Sequence, residues 1–358
     1  MRVLALLTDG FGGAGGIAQF NRDWLAAIEQ MPELNAIDVL VRHGQSGAFG
    51  QRIQQRRIGG RLGFVFTALK AALAKSPDLI FAGHLNLLPL AALLARLSGA
   101  KLVLQTHGID AWSRPGWLKR WAIARCTQVL AVSRYTRGAV LAWSNLPWAR
   151  VRVLPNTVGE CAIDEQAVQH WREKLALGPN TRLLLTVGRM DARERYKGHD
   201  RVLQACAGLG LADYCYAIVG SGDDQARLAA LADALKIAGH VRFLGALDDG
   251  ERNALLSLAY VFAMPSTGEG FGIVYLEALL AGTPAVGSQA GGAPDPLSAS
   301  HFGFAPTDAD LQPLLARLLS AAKPPAADVR GDVQARFGHA AFNHQAQLLL
   351  QHALSKHD

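Results

Sequence analysis

Two successive series of short Val-, Ile- and Leu-rich runs, each run followed by a longer segment of helical period, constrain this chain more than any other feature. Apolar runs without polar alternation belong in strands covered on both faces, and the helices between them supply the cover, so a parallel α/β sheet follows. The first series predicts strands over 3–7, 37–41, 79–82, 102–106, 129–132 and 151–154. Ser133, at the junction of a strand and an amphipathic segment, is placed as a helix N-cap. Pro155-Asn156 breaks the alternation, and a polar linker runs on through Asp164. The pattern then restarts, with strands expected over 183–187, 216–219, 241–244, 261–264 and 285–287. Helices are expected over 200–207, 224–236, 249–258 and 273–281, then near 308–321 and 340–354. A chain of 358 residues exceeds what one growing core accommodates. The reading is therefore α/β with two doubly wound domains, 1–158 and 159–339.

Composition excludes several classes. The apolar stretch 3–7 stops at Thr8-Asp9, short of a signal-peptide core. The stretch 87–95 holds Pro89 and ends at Arg96, short of the roughly 20 apolar residues a bilayer span needs. Cys126, Cys161, Cys206 and Cys215 form no CxxC pair and read as small buried hydrophobes of a reducing compartment. A cytoplasmic protein is expected. The net charge of +7 conceals an asymmetry: residues 1–158 carry 19 Lys and Arg against 7 Asp and Glu, net +12, and the remainder 17 against 22, net −5. Such a basic half suits an anionic partner. Arg52, Arg56, Arg57 and Arg61 precede Phe64-Val65-Phe66, and Trp117, Lys119, Arg120 and Trp121 mix basic with aromatic side chains. We therefore expect peripheral docking on an anionic inner membrane surface; no nucleic-acid motif accompanies the charge, so nucleic acid is not expected as a partner. Leu62, Phe66, Leu69 and Leu73, at helical spacing, are expected to pack on the sheet, leaving Phe64 and the arginines for the surface.

Chemistry concentrates in four places. Gly10-Phe11-Gly12-Gly13-Ala14-Gly15-Gly16 follows a strand and opens a helix, and Gly10, Gly12 and Gly15 satisfy GxGxxG. A dinucleotide site would want an acid at the end of the next strand, where Arg42-His43 stands, so a phosphate- or hydroxyl-binding turn and a ligand-free turn both remain open. Arg189 ends one strand and Lys197 opens the next helix, two cations flanking one strand-end loop as a diphosphate site would have them. The strongest signal is Gly268-Glu269-Gly270-Phe271-Gly272 followed by Glu277. Glu269 lies in a glycine turn open to a ligand, and Glu277 falls about two helical turns further on, so one acid can meet sugar hydroxyls and the other ribose hydroxyls. His107 ends a strand, poised either for substrate or for a backbone carbonyl. Asp308-Ala309-Asp310 spells DxD but starts a helix, where acids serve the dipole. GxSxG, HExxH and GxxxxGK[ST] elements are absent from the sequence.

These residues resemble the family-4 retaining glycosyltransferases of GT-B fold, from residue 1 to about 295: the Glu269-x7-Glu277 element, the Arg189 and Lys197 pair, Pro155-Asn156-Thr157-Val158, and Gly15-Gly16. The resemblance implies two Rossmann-like domains facing a central cleft, with 340–358 packing back on the first. It further implies that Arg189 and Lys197 hold the diphosphate of a nucleotide sugar and Glu277 its ribose. Glu269 with the Gly270, Phe271 and Gly272 backbone would hold the sugar, His107 would lie near the reacting carbon, and Gly16 beside Gly15 would face the diphosphate. The reaction it implies is transfer of a hexose, mannose- or glucose-type, to a glycan or lipid-linked acceptor in polysaccharide or glycolipid synthesis. The anomeric configuration would be kept without a protein nucleophile, and no metal or other cofactor would be needed. The chain departs from the family in Ala293-Pro294-Asp295, where a Glu often follows the glycines. Two other readings stand beside it: an NAD(P)-dependent oxidoreductase using the Gly10–Gly15 turn with Arg42, and a noncatalytic sugar-nucleotide-binding protein.

Overall fold

Each apolar series closes into one sheet. The computed structural model describes residues 1–13, 15–331 and 333–355; Ala14 of the first glycine cluster, Asp332 and 356–358 lie outside the described residues. The chain divides into two units, one of residues 1–157 with 339–355 and one of Val158–Gly338.

The first sheet comprises β1 (Arg2–Asp9), β2 (Ala36–His43), β3 (Gly47–Ala48), β4 (Ile53–Arg57), β5 (Leu79–Ala82), β6 (Lys101–Thr106), β7 (Gln128–Ala131) and β8 (Val151–Val153). Its order is β3-β4-β2-β1-β5-β6-β7-β8, parallel except where β3 meets β4. β3 and β4 were not expected from the sequence. In β4 the inward positions are Ile53 and Gln55, and the buried Gln55 breaks the apolar signal because its amide is spent on the neighbouring loop. The Ser133 hydroxyl accepts from the Thr136 amide, capping the helix Arg134–Ser144.

One expectation is reversed. In the helix Arg61–Lys75 the buried side chains are Phe64, Ala68, Ala71 and Ala72, whereas Leu62, Phe66 and Leu73 are exposed. Small residues at helical spacing let the helix approach the sheet closely, so the large side chains of the other stripe turn outward. Leu69 stays partly buried against the core. Arg52 is also not a free surface cation, because its guanidinium donates to the carbonyls of Met31 at 3.0 Å and Leu34 at 2.9 Å.

The helix His339–Ser355 belongs to the first unit, where Phe342, Ala346, Leu350 and Ala353 complete the core beside Phe20 and Trp24. Gln347 donates to the Ala27 carbonyl at 2.7 Å and Gln345 to that of Val153 at 3.0 Å.

The second sheet is wholly parallel, in the order β11-β10-β9-β12-β13-β14. Its strands are β9 (Arg182–Val187), β10 (Tyr214–Val219), β11 (Val241–Gly245), β12 (Val261–Ala263), β13 (Ala285–Val286) and the unanticipated β14 (Gly303–Phe304). Asp308 and Asp310 occupy the first turn of the helix Asp308–Ser320, and Asp308 accepts from Arg201 at 2.7 Å.

In both sheets the strand order changes direction beside the first strand of the series, at β1/β5 and at β9/β12. Helices leave to opposite faces at such a point and a crevice opens at the carboxyl ends of the strands, the usual ligand position in open α/β sheets.

Candidate functional site

The β9/β12 switch point collects most of the residues singled out by sequence. β9 ends at Val187, and the chain passes through Gly188 and Arg189 into a 3-10 helix, Ala192–Lys197. Gly198, at φ 80°, turns the chain into the helix His199–Ala207; a Cβ there would stand 2.8 Å from the Pro265 carbonyl oxygen. Glycine thus permits the β9 loop to lie against the end of β12. The Thr267 amide donates to the Tyr196 carbonyl at 2.8 Å, and Gly268 packs flat on the Tyr196 ring, where a Cβ would come within 2.5 Å. These contacts set Lys197 Nζ 3.2 Å from Glu269 Oε1, both side chains largely buried.

Arg189 does not join that pair. Its guanidinium meets Glu194 at 2.5 Å and Asp191 at 3.5 Å, and its side chain remains 69% exposed. The two acids hold the fork in place while leaving N–H groups turned to solvent.

Beyond Glu269, Gly272 adopts φ 94° at the start of the helix Ile273–Leu280, and no side chain caps that end. Its first-turn amides are therefore open to an anion or an oxygen-rich ligand. The Phe271 ring is buried against Phe337, which leaves its backbone, the part expected to serve a ligand, at the turn. Glu277 accepts from Arg252 at 3.2 Å. Burial raises its carboxyl above the usual range, and the Arg252 guanidinium counteracts the rise. Arg252, on the helix Asp249–Leu258, was not foreseen, because only the fold brings it to Glu277. The Gly292 amide donates to the Glu269 carbonyl at 2.7 Å, so the loop carrying Ala293-Pro294-Asp295 is tied to Glu269 through backbone.

His199 lies beneath Lys197. Burial first, then the Lys197 charge, pushes its imidazole down to about 4, and its Nε2 has no hydrogen-bond partner. A neutral ring here spares Lys197 a second positive charge.

In the first unit the β1/β5 switch point holds the glycine cluster and two histidines. Gly10 and Gly12 are explained by packing within the turn: a Cβ would meet Gln55 Oε1 at 2.3 Å and Gln45 Cγ at 2.5 Å respectively. Gly15, at φ 89°, has open space where a Cβ would be, and Gly16 begins the helix Gly16–Glu29 with no side-chain cap. His107, just past β6, donates from Nε2 to the Gly83 carbonyl at 2.8 Å, and burial lowers its imidazole to about 4. The neutral ring therefore carries its proton on Nε2 and leaves Nδ1 as an acceptor without a partner among the described residues. His84, missed by sequence reading, stacks on His107 at 6.2 Å. Asp110 accepts from the His107 amide, and Lys119 donates to Asn86 at 2.6 Å. Gly83-His84 follows β5 directly and was legible as a strand-end pair.

Two parallel-sheet α/β domains with polar residues gathered at both switch points define a GT-B fold. HepE of Anabaena, solved in complex with UDP, shares that fold at a TM-score of 0.77, with 21% identity over 98% of this chain and 100% of that one. The sequence matches the family described as Glycosyl transferases group 1 over residues 168–328 and Glycosyltransferase Family 4 over residues 24–159. The chain belongs to the family-4 type GT-B glycosyltransferases. Among curated relatives it is 36% identical, over 229 residues, to the GDP-mannose-dependent alpha-(1-6)-phosphatidylinositol monomannoside mannosyltransferase of Mycolicibacterium smegmatis, covering 58% of each chain. It is 44% identical, over 128 residues, to the D-rhamnosyltransferase WbpZ of Pseudomonas aeruginosa, covering 35% of this chain and 31% of that one. The matches thus span about a third to three fifths of these relatives' lengths. Family membership leaves the oxidoreductase reading without support.

Proposed function

We propose that this protein is a retaining glycosyltransferase that moves a hexose from a nucleotide diphosphate sugar to a lipid-linked glycan acceptor in surface polysaccharide or glycolipid synthesis. The observation that carries the reading is the Lys197–Glu269 pair at the β9/β12 switch point, beside the uncapped helix start at Gly272. Lys197 and Arg189 supply positive charge for the diphosphate, Glu277 accepts from ribose hydroxyls, and Glu269 with the Gly270 to Gly272 backbone orients the sugar. His107 offers Nδ1 to a sugar hydroxyl, and Gly15 and Gly16 present backbone to the phosphates.

In this reading the bond from the anomeric carbon to the phosphate oxygen breaks as the acceptor oxygen bonds to the same face, and the acceptor proton passes to the departing phosphate. Charge that builds on the leaving group meets fixed cations, which is electrostatic preorganisation and requires no metal.

The acceptor assignment rests on the first unit. Leu62, Phe66 and Leu73 stand exposed on the helix Arg61–Lys75, Leu93 and Leu97 on the adjoining Leu88–Ser98, and Trp117 and Leu118 on Trp117–Ile123, which packs on the latter. Arg61, Lys70 and Arg96 are exposed on the same helices. Apolar side chains entering a headgroup layer and basic residues contributing about 1 kcal/mol each fit the inner face of an anionic membrane. Among the described residues, no helix is long and apolar enough to cross a membrane.

A panel of GDP-mannose, UDP-glucose and other UDP-sugars, scored for slow donor hydrolysis without acceptor, tests the proposal. Hydrolysis of one donor supports it. Nucleotide binding without turnover of any donor or acceptor would favour a sugar-nucleotide sensor instead.

A further inference from the structure

The second unit carries a cavity of about 460 Å³ at the amino ends of β9 and β12, the opposite end of the sheet from Lys197 and Glu269. It is walled by the helix Glu165–Lys174, the start of β9, the last turn of the helix Asp249–Leu258 and the segment 323–330. Its apolar lining includes Leu177, Leu183 and Leu258, and its charged lining is Arg172, Lys323 and Arg330 against Glu165.

Lys323 is central. Its ammonium donates to the Ser257 carbonyl at 2.6 Å and lies 6.0 Å from the Tyr260 ring centroid. Among the described residues no carboxylate pairs with it. Burial, then the Arg172 charge, pulls it down to about 8. Arg330 is anchored through Nε to the Leu280 carbonyl at 2.8 Å, leaving its two terminal nitrogens without a partner among the described residues. Arg182 stacks on Tyr260, its guanidinium carbon 4.2 Å from the ring centroid. Two acids are near. Asp213 is engaged by the Thr181 hydroxyl at 2.6 Å. Glu165 lines the exposed rim in the first turn of its own helix and forms no ion pair among the described residues.

A half-buried ammonium without a counter-ion is costly unless an anion completes it. Lysine and arginine together suit phosphate oxygens, the first as a point charge and the second as a fork. The volume lies within the range of small-molecule sites, and the apolar wall with Tyr260 asks for a carbon body attached to the charge. We propose that this cavity binds a small organic phosphate monoester, at a site separate from the donor site.

The test uses the full chain carrying Lys197→Ala, which weakens phosphate binding at the other end of the sheet. Phenyl phosphate and inorganic phosphate are titrated calorimetrically at pH 8 in two buffers of different ionisation enthalpy. We expect one saturable site for phenyl phosphate, at least tenfold tighter than for inorganic phosphate, with proton uptake as the dianion draws Lys323 back to its charged form. Lys323→Met, which keeps the aliphatic stem, should weaken binding at least tenfold and abolish the uptake. Arg330→Gln, an exposed change, should weaken it severalfold and serves if Lys323→Met does not fold. Absence of saturable binding, equal affinity for the two phosphates, or binding unchanged in a folded variant would overturn the proposal.

Discussion

Lys197 and Glu269 are 72 positions apart in the chain and 3.2 Å apart across the junction of β9 and β12, each the other's counter-charge. A donor diphosphate and sugar arriving between them would replace that pairing with bonds to the ligand. Lys197→Ala and Glu269→Ala should each lower transfer about 100- to 1,000-fold, as removal of one transition-state contact does, with unchanged circular dichroism. Lys197 ends a short 3-10 helix and Glu269 lies on a loop, so the fold should survive. Because the residues act as a unit, the double variant should lose less than the product of the single losses. Full activity in both single variants would dismantle the donor assignment.

Arg252 is the counter-charge of the buried Glu277 carboxyl and offsets part of the rise that burial causes. Arg252→Met should leave the buried carboxyl to titrate higher still, so the donor KM should rise about tenfold near neutrality and recover as pH increases, with kcat little changed. Steady-state kinetics from pH 6 to 9 measure this. A KM that does not vary with pH in the variant would mean that Glu277 does not hold the donor as a carboxylate.

Metal independence follows from assigning leaving-group charge to Arg189 and Lys197. Activity should survive EDTA, and added Mg²⁺ or Mn²⁺ should change it less than twofold. Loss with EDTA and rescue by either ion would show that a metal carries that charge instead.

Binding to anionic vesicles should weaken as salt screens the charges. Replacing the exposed Leu62 and Phe66 by Ser, or Arg61, Lys70 and Arg96 by Gln, should each reduce cosedimentation severalfold without altering the melting temperature. Arg52 is left in place because it holds the carbonyls of Met31 and Leu34. Equal binding to neutral and anionic vesicles, or none to either, would point to a soluble acceptor.

Acid should destabilise the protein through its neutral histidines. His107 and His199 are held down to about 4, below the ordinary value near 6.5, so between those limits the unfolded chain binds protons that the folded one does not. Stability is complete above about 6.5 and declines as pH falls towards 4. Melting temperatures from pH 7 to 4 should drop accordingly, and His199→Gln should flatten the profile; an unchanged profile would mean that folding does not alter the proton affinity of His199.

The alternation of apolar runs and helical segments translated directly into two parallel sheets, because a doubly covered strand announces itself by unbroken hydrophobicity. β4 was hidden by the same rule, since Gln55 faces inward and satisfies its amide on the glycine loop. Reading Leu62, Phe66 and Leu73 as the packed stripe failed because size was taken as a proxy for burial, whereas the alanines dock. Glu269 and Glu277 were legible through their glycines. Arg252 was not, because its importance arises from a neighbour far away in sequence, whereas His84 was missed although it follows the β5 strand directly.

The return of the helix His339–Ser355 to the first unit has a consequence for biosynthesis. Phe342, Ala346, Leu350 and Ala353 belong to the same core as Phe20 and Trp24, although the ribosome makes them more than 300 residues later. The second unit is one unbroken stretch, Val158–Gly338, and can form as soon as it emerges. The half that starts first is thus completed after the second, and until the helix His339–Ser355 emerges its incomplete core exposes the face of Phe20 that Phe342 covers, the interval in which a chaperone has most to protect.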